Sequence, residues 1–204
     1  LSTQGFGYPP GQLSTRAWGT GGAIAELDPL SPLNPASIAL HPARIVVFQI
    51  EPEYRTLNSP SGSEHTSIAR YPNVFVAFPV GRGWVVSAGA STLLDRTSTT
   101  EFNTTQILPS GPDTVPIHTT YQVNGAMSDL RLAGAYNVAS WMRVGVGIHA
   151  ITGHNLVSIT QAFSDSVDFS SFNQSLVLDF QGLAGSAGVQ FSSKSWGLHS
   201  EELE

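Results

Sequence analysis

The chain has 204 residues, a formal net charge of −6, 12% charged residues, 20 glycines and no cysteine. Soluble domains usually carry about 25% charged residues, so the deficit points to a surface that does not all face water. Three classes drop out. The scattered Lys and Arg make no basic stripe for nucleic acid, the missing cysteine removes thiolate metal sites and cysteine nucleophiles, and no run of about 18 apolar residues supplies a transmembrane helix.

Residues 1–43 differ from the rest. Glycine and proline are dense, with Pro9, Pro10, Pro29, Pro32, Pro35 and Pro42 among Gly5, Gly7, Gly11, Gly19, Gly21 and Gly22. Fixed and unusually permissive φ angles at this frequency forbid long helices and laddered strands. The run Asn34-Pro35-Ala36-Ser37-Ile38-Ala39-Leu40 reads as a short helix, with Asn34 capping and Pro35 at its first position. The segment Arg16-Ala17-Trp18-Gly19-Thr20-Gly21-Gly22-Ala23, followed by Asn34-Pro35-Ala36, resembles the start of the FadL-like long-chain fatty acid transporters of the outer membrane. That resemblance implies a plug folded back into a β-barrel. It implies plug roles for Arg16, Gly19, Gly21, Gly22, Asn34, Pro35 and Ala36. Leu33 stands where the family carries an aromatic residue.

From residue 44 to 204 the period is two, the mark of half-buried strands. Val46, Phe48, Ile50 and Tyr54 alternate with Gln49, Glu51, Glu53 and Arg55. Val74, Val76, Phe78 and Val80 form the second run, and Trp84, Val86, Ala88 and Ala90 the third. Leu130, Leu132, Tyr136 and Val138 oppose Asp129 and Arg131. Met142, Val144, Val146 and Ile148 oppose Arg143, Gly145, Gly147 and His149. Leu176, Leu178 and Phe180 make the sixth run, Val189 and Phe191 the seventh.

The gaps between these runs alternate in length. Short turns are expected at Pro79–Gly83, Asn137–Ser140 and Gly182–Ser186, and long polar loops at Leu57–Thr66, Arg96–Val123 and Thr152–Asn173. Transmembrane β-barrels lengthen every second loop, because one set faces the periplasm and the other the outside. Trp84, Trp141, Tyr136 and Phe180 flank the short turns, as an interfacial aromatic girdle would. The expected fold is therefore all-β: an antiparallel transmembrane barrel, or half of one, with an irregular N-terminal plug at 1–43 and about seven strands over 44–204. An odd count conflicts with the even strand numbers of single-chain bacterial barrels, unless Thr97–Gln106, whose apolar alternation is poor, is an eighth strand within Arg96–Val123. The tail Leu198–Glu204 also lacks a terminal aromatic. Both features lead to the expectation of an N-terminal half completed by a second chain or segment, exported and already free of its signal peptide.

Chemistry-bearing patterns are few. The histidines at 41, 65, 118, 149, 154 and 199 have no metal-ligand spacing, and no Gly-x-Ser-x-Gly elbow or phosphate-binding glycine pattern occurs. Ser164–Asp168 lacks the ligand series of a calcium loop. Glu51, Glu53, Arg55, Asp129, Arg131 and Arg143 are expected to line a wet lumen as compensating charges. No catalytic residue, metal or cofactor is expected. Membrane lipid and a hydrophobic small molecule are the expected partners, with first capture by Phe102, Ile107, Leu108, Leu156, Ile159 and Phe163. The resulting expectation is an outer-membrane transporter of long-chain fatty acids or other hydrophobes. The alternatives are a structural or secretion-associated barrel component and a soluble all-β binding module.

Overall fold

A computed structural model describes residues 12–31, 33–59, 62–107, 114–163 and 170–192. The expected Leu108, Ser164–Asp168 and Leu198–Glu204 features lie outside these residues. The architecture is all-β and antiparallel. A one-turn helix α1 (Thr15–Gly19) and a 3-10 turn (Pro35–Leu40) precede seven strands: β1 (Ile45–Ser59), β2 (Gly62–Gly81), β3 (Trp84–Asp95), β4 (Ser98–Ile107), β5 (Thr114–Ala139), β6 (Met142–Phe163) and β7 (Phe172–Phe191). The sheet order is β1-β2-β3-β5-β6-β7, with β4 attached to β5. Among the described residues β1 and β7 are its two ends, so the sheet does not close on itself into the expected barrel, and the half-barrel alternative is the one an open sheet leaves standing. No helix of the described residues is long and apolar enough to cross a membrane.

Four expected gaps turn out to be strand in whole or in large part, the long loop Thr152–Asn173 among them, since β6 runs on to Phe163 and β7 begins at Phe172. Leu57–Thr66 is the tip of a ladder that runs unbroken to the Ser59–Gly62 pair. Gly182–Ser186, expected as a turn, lies inside β7, so the sixth and seventh runs are one strand. The expected loop Arg96–Val123 contains β4 and the first part of β5, paired from Ser98–Val123 to Ile107–Thr114.

The Arg96 N–H donates to the Gly125 carbonyl at 2.9 Å, two steps back along that same ladder. Since β3 also pairs with β5, β3 and β4 are successive stretches of one pass, interrupted at Arg96–Thr97. Seven strands, with these two counted as one, make six passes. The odd count thus becomes even.

The chain divides into two compact units. One comprises Gln12–Ser91, Leu130–Ala150 and Leu183 onward. The other includes Thr92–Asp129 and Ile151–Gly182. In the first unit, residues from 12 to 41 cover one face of the sheet. Its core joins Ile38 and Ala39 of the 3-10 turn to Phe75, Ala77, Val85, Ala133 and Ala135 of the strands, with Ile45 and Val47 packed against them. Burying Phe75 contributes about 2–3 kcal/mol, and the neighbouring alanines let the covering backbone approach. A bulge between Gln49 and Glu51 sets two β1 steps against three on β2. It accommodates Pro72, which is fully buried and has no N–H to give to a ladder.

The opposite face is bare. Val46 (72% exposed), Val80 (61%), Leu132 (56%), Val146 (63%) and Ile148 (66%) stand on it without cover. In the second unit, Val115, Ile117, Thr119 and Val123 of β5 alternate as buried positions, and Asn155 of β6 is buried. β4 carries almost wholly exposed residues on both of its faces.

Candidate functional site

The covering segment organises around one carboxylate. Ser14 caps α1, its Oγ accepting from the Ala17 N–H at 3.0 Å, and that hydroxyl also donates to Asp28. Asp28 further accepts from the Ser31 hydroxyl at 3.2 Å and from the Leu30 N–H at 3.2 Å. Its carbonyl accepts from Ser37 at 3.4 Å. Ser14, Asp28 and Ser31 are buried, so the two serine hydroxyls need the carboxylate as their acceptor, whereas Ser37 has a nearer acceptor in the Asn34 carbonyl at 2.8 Å.

The Arg16–Gly22 stretch is explained by how α1 ends. Gly22 N–H bonds to the Ala17 carbonyl at 2.8 Å and Gly21 N–H to the Trp18 carbonyl at 2.9 Å. These are the paired bonds of a Schellman cap, whose C′ residue must be left-handed; Gly21 has φ 62°. Arg16 is exposed in the last turn, and a Cβ at Gly19 would meet nothing.

Asn34, Pro35 and Ala36 sit in a notch. Asn34 caps the 3-10 turn, its Oδ1 accepting from the Ala36 N–H at 2.9 Å, while its Nδ2 reaches the Val189 carbonyl at 3.4 Å. A Cβ built on Gly188 would lie 2.0 Å from Asn34 Oδ1, and one on Gly145 only 2.5 Å from the Ala36 nitrogen. The Ser192 N–H bonds to the Trp141 carbonyl. Counted from that bond, Gly145 of β6 stands opposite Gly188 of β7. Only glycine permits so close a backbone approach. The turn is thus seated by shape on two strands more than a hundred residues away.

Beside this notch, Arg143 Nε and Nη1 and Gln190 Oε1 are buried without a hydrogen-bond partner among the described residues. Gln190 Nε2 donates to the Leu27 carbonyl at 3.2 Å. His149 and the Ser186 hydroxyl lie 2.8 Å apart on the same face.

The expected lumen charges divide. Glu53 accepts from Arg55 at 2.5 Å and also pairs with Arg70. Glu51 stands opposite Arg70 in the ladder and accepts from Gln49 Nε2 at 2.7 Å. Gln49 also donates to the Leu13 carbonyl at 3.1 Å, tying this cluster to the covering segment. Asp129 and Arg131 are buried on β5. Arg70 was missing from the sequence reading, because the Tyr71-Pro72-Asn73 bulge hides its alternation with the residues that follow.

The capture residues are spread over two strands. Phe102 and Ile107 are exposed on β4, with odd spacing that sends them to opposite faces. Leu156, Ile159 and Phe163 lie on β6, and Leu156 and Ile159 likewise differ by an odd step. No group of three or more metal-ligating side chains occurs among the described residues.

No family model, curated protein or solved structure matches this chain.

Proposed function

We propose that the chain forms wall and plug of an outer-membrane barrel that passes hydrophobic small molecules, long-chain fatty acids being the class implied by the N-terminal resemblance. The observation that carries this reading is the bare face of the first unit. Every pass contributes apolar residues to it, from Val46, Phe48 and Ile50 on β1 to Leu183, Val189 and Phe191 on β7.

From Tyr71 to Val80 the bare stretch of β2 covers roughly 30 Å at ~3.3 Å per residue. At a membrane-strand tilt of about 40° that is roughly 23 Å of height, close to the ~25 Å apolar band of such barrels. Aromatic pairs mark one end of the band: Trp84 with Tyr136 at 4.9 Å between ring centroids, and Trp141 with Phe191 at 6.0 Å. Phe48 and Tyr71, 5.8 Å apart, stand ten residues up β2 from the turn. Lipid tails are the solvent such a face suits. Water would charge roughly 25 cal/mol for each Å² of it.

The covered face supports the plug half of the reading. It carries polar side chains beside the covering segment, among them the Glu53 cluster with Arg55 and Arg70. The open ends β1 and β7 favour completion by a further segment or chain. The same two edges are also what a structural barrel component of a larger assembly would use, and retained cargo separates the two.

The test has two parts. The purified chain is expected to need detergent and to enter lipid vesicles with heat-modifiable mobility on a gel. A monodisperse protein in plain buffer overturns the reading. Expressed in a Gram-negative host deficient in fatty acid uptake, it should fractionate with the outer membrane and restore uptake of a long-chain fatty acid. Membrane residence with no uptake and no bound hydrophobe favours the structural reading instead.

A further inference from the structure

We propose that the bare face of β3, β5 and β6 holds an acyl chain of an anionic phospholipid, whose phosphate is met by Arg82 and Arg44 at the turn end of the sheet. This rests on the membrane reading above and names a lipid site within it.

The bare face is not uniform. Ala88 and Gly134 leave a recess walled by Phe78, Val86, Leu132 and Val146, with a volume of about 480 Å³. A second recess of about 300 Å³ adjoins it, sharing Ala88, Leu132 and Ile148 and extending to Leu183. At the ~30 Å³ that a water-sized group occupies, the first recess has a volume comparable with about sixteen such groups, the bulk of a membrane acyl chain. A Cβ at Gly134 would meet no atom within 4 Å, so the missing side chain is what keeps the recess open.

Charge selects the headgroup. Phe78 pairs with Val86, and Gly81 with Trp84 at the turn. The recess mouth therefore lies two β3 residues, roughly 7 Å, from the turn closure. Arg82 occupies that turn with φ 51°, the only positive φ of a non-glycine residue among those described, and is exposed. Arg44, also exposed, precedes β1 and falls next to Phe78 when the Ile45–Ala77 pairing is extended by one step. No Asp or Glu occurs in 40–48, 76–88, 132–148 or 184–192, the strand ends around these turns, although the chain as a whole carries −6. Basic residues at a membrane surface attract anionic lipid, each worth about a fivefold preference. The tryptophans Trp84 and Trp141 place this end at the headgroup level.

The experiment measures lipid retained by the full-length protein in detergent. Phosphatidylglycerol and phosphatidylcholine with matched sixteen- and eighteen-carbon chains are offered together and quantified by native mass spectrometry. Phosphatidylglycerol is expected to be retained at least about fivefold over phosphatidylcholine. The double variant R44Q/R82Q should bring the two to parity without loss of total lipid. G134L, filling the recess, should lower retention of both; A88L serves as a second filling variant, and a β-type circular dichroism spectrum confirms folding. Parity in the native protein, or undiminished retention in the filled variants, overturns the proposal. A protein that stays detergent-dependent yet shows parity loses only this site, whereas one monodisperse in buffer loses the membrane reading with it.

Discussion

The two faces of β6 have opposite designs within one stretch of eight residues. On one side Val146 and Ile148 stand bare and Met142 and Val144 are half-buried; on the other Gly145, Gly147 and His149 meet the covering segment or the neighbouring strand. A soluble sheet would cover its large residues and leave the small and polar ones to water. Here the arrangement is reversed, and the covered side is made close-fitting by glycine rather than greasy. The comparison teaches that cover and apolarity are separate requirements: the covering segment is seated by close backbone approach, and the apolar side is left without cover.

The largest test of that contrast is L132R. In a bilayer, an arginine near the middle of the lipid-facing band should cost about 2–4 kcal/mol, read by denaturant titration of the protein folded in vesicles. In water the same change on an already exposed residue would lie within about 0.5 kcal/mol. On the other face, G145V places methyl groups where the Pro35–Ala36 backbone now lies and should cost about 1–3 kcal/mol. Faster hydrogen exchange or proteolysis across residues 27–41 would locate the damage, and unchanged protection there would refute the notch. D28A strands the buried hydroxyls of Ser14 and Ser31, a loss of about 1–3 kcal/mol, with exchange rising in α1 before the strands are affected. W84A removes the ring pair with Tyr136 and should cost about 0.5–1.5 kcal/mol beyond the lost area; a double-mutant cycle with Tyr136→Ala measures it.

Alternation alone made the two faces legible, since the residues assigned to each side of β1, β2, β3, β5 and β6 are the ones that stand bare or turn toward the covering segment. It failed where both sides of a strand share one environment. β4 is a threonine-rich ribbon wet on both faces, so its sequence has no contrast to read. Gly182-Leu-Ala-Gly-Ser186 resembles a turn because small residues mark turns, yet here they lie within β7.

The Gly145–Gly188 notch was beyond reach for another reason. Its partner, Asn34-Pro35-Ala36, lies 109 residues from the first glycine and 152 from the second, counted from Ala36. No local rule connects them. Asp28 carries no local signal either; its role shows only in the buried hydroxyls of Ser14 and Ser31 that it accepts from.

Three ascents and three descents have a further consequence. β7 ends at the level from which β1 departs, so under the membrane proposal reporters placed just ahead of β1 and just behind β7 should signal from one compartment. If the antiparallel pattern continues, a pass docking on the β7 edge runs in the direction of β1, and one docking on the β1 edge runs in the direction of β7. Under the barrel proposal, a piece that closes the sheet in that pattern would contribute an even number of strands.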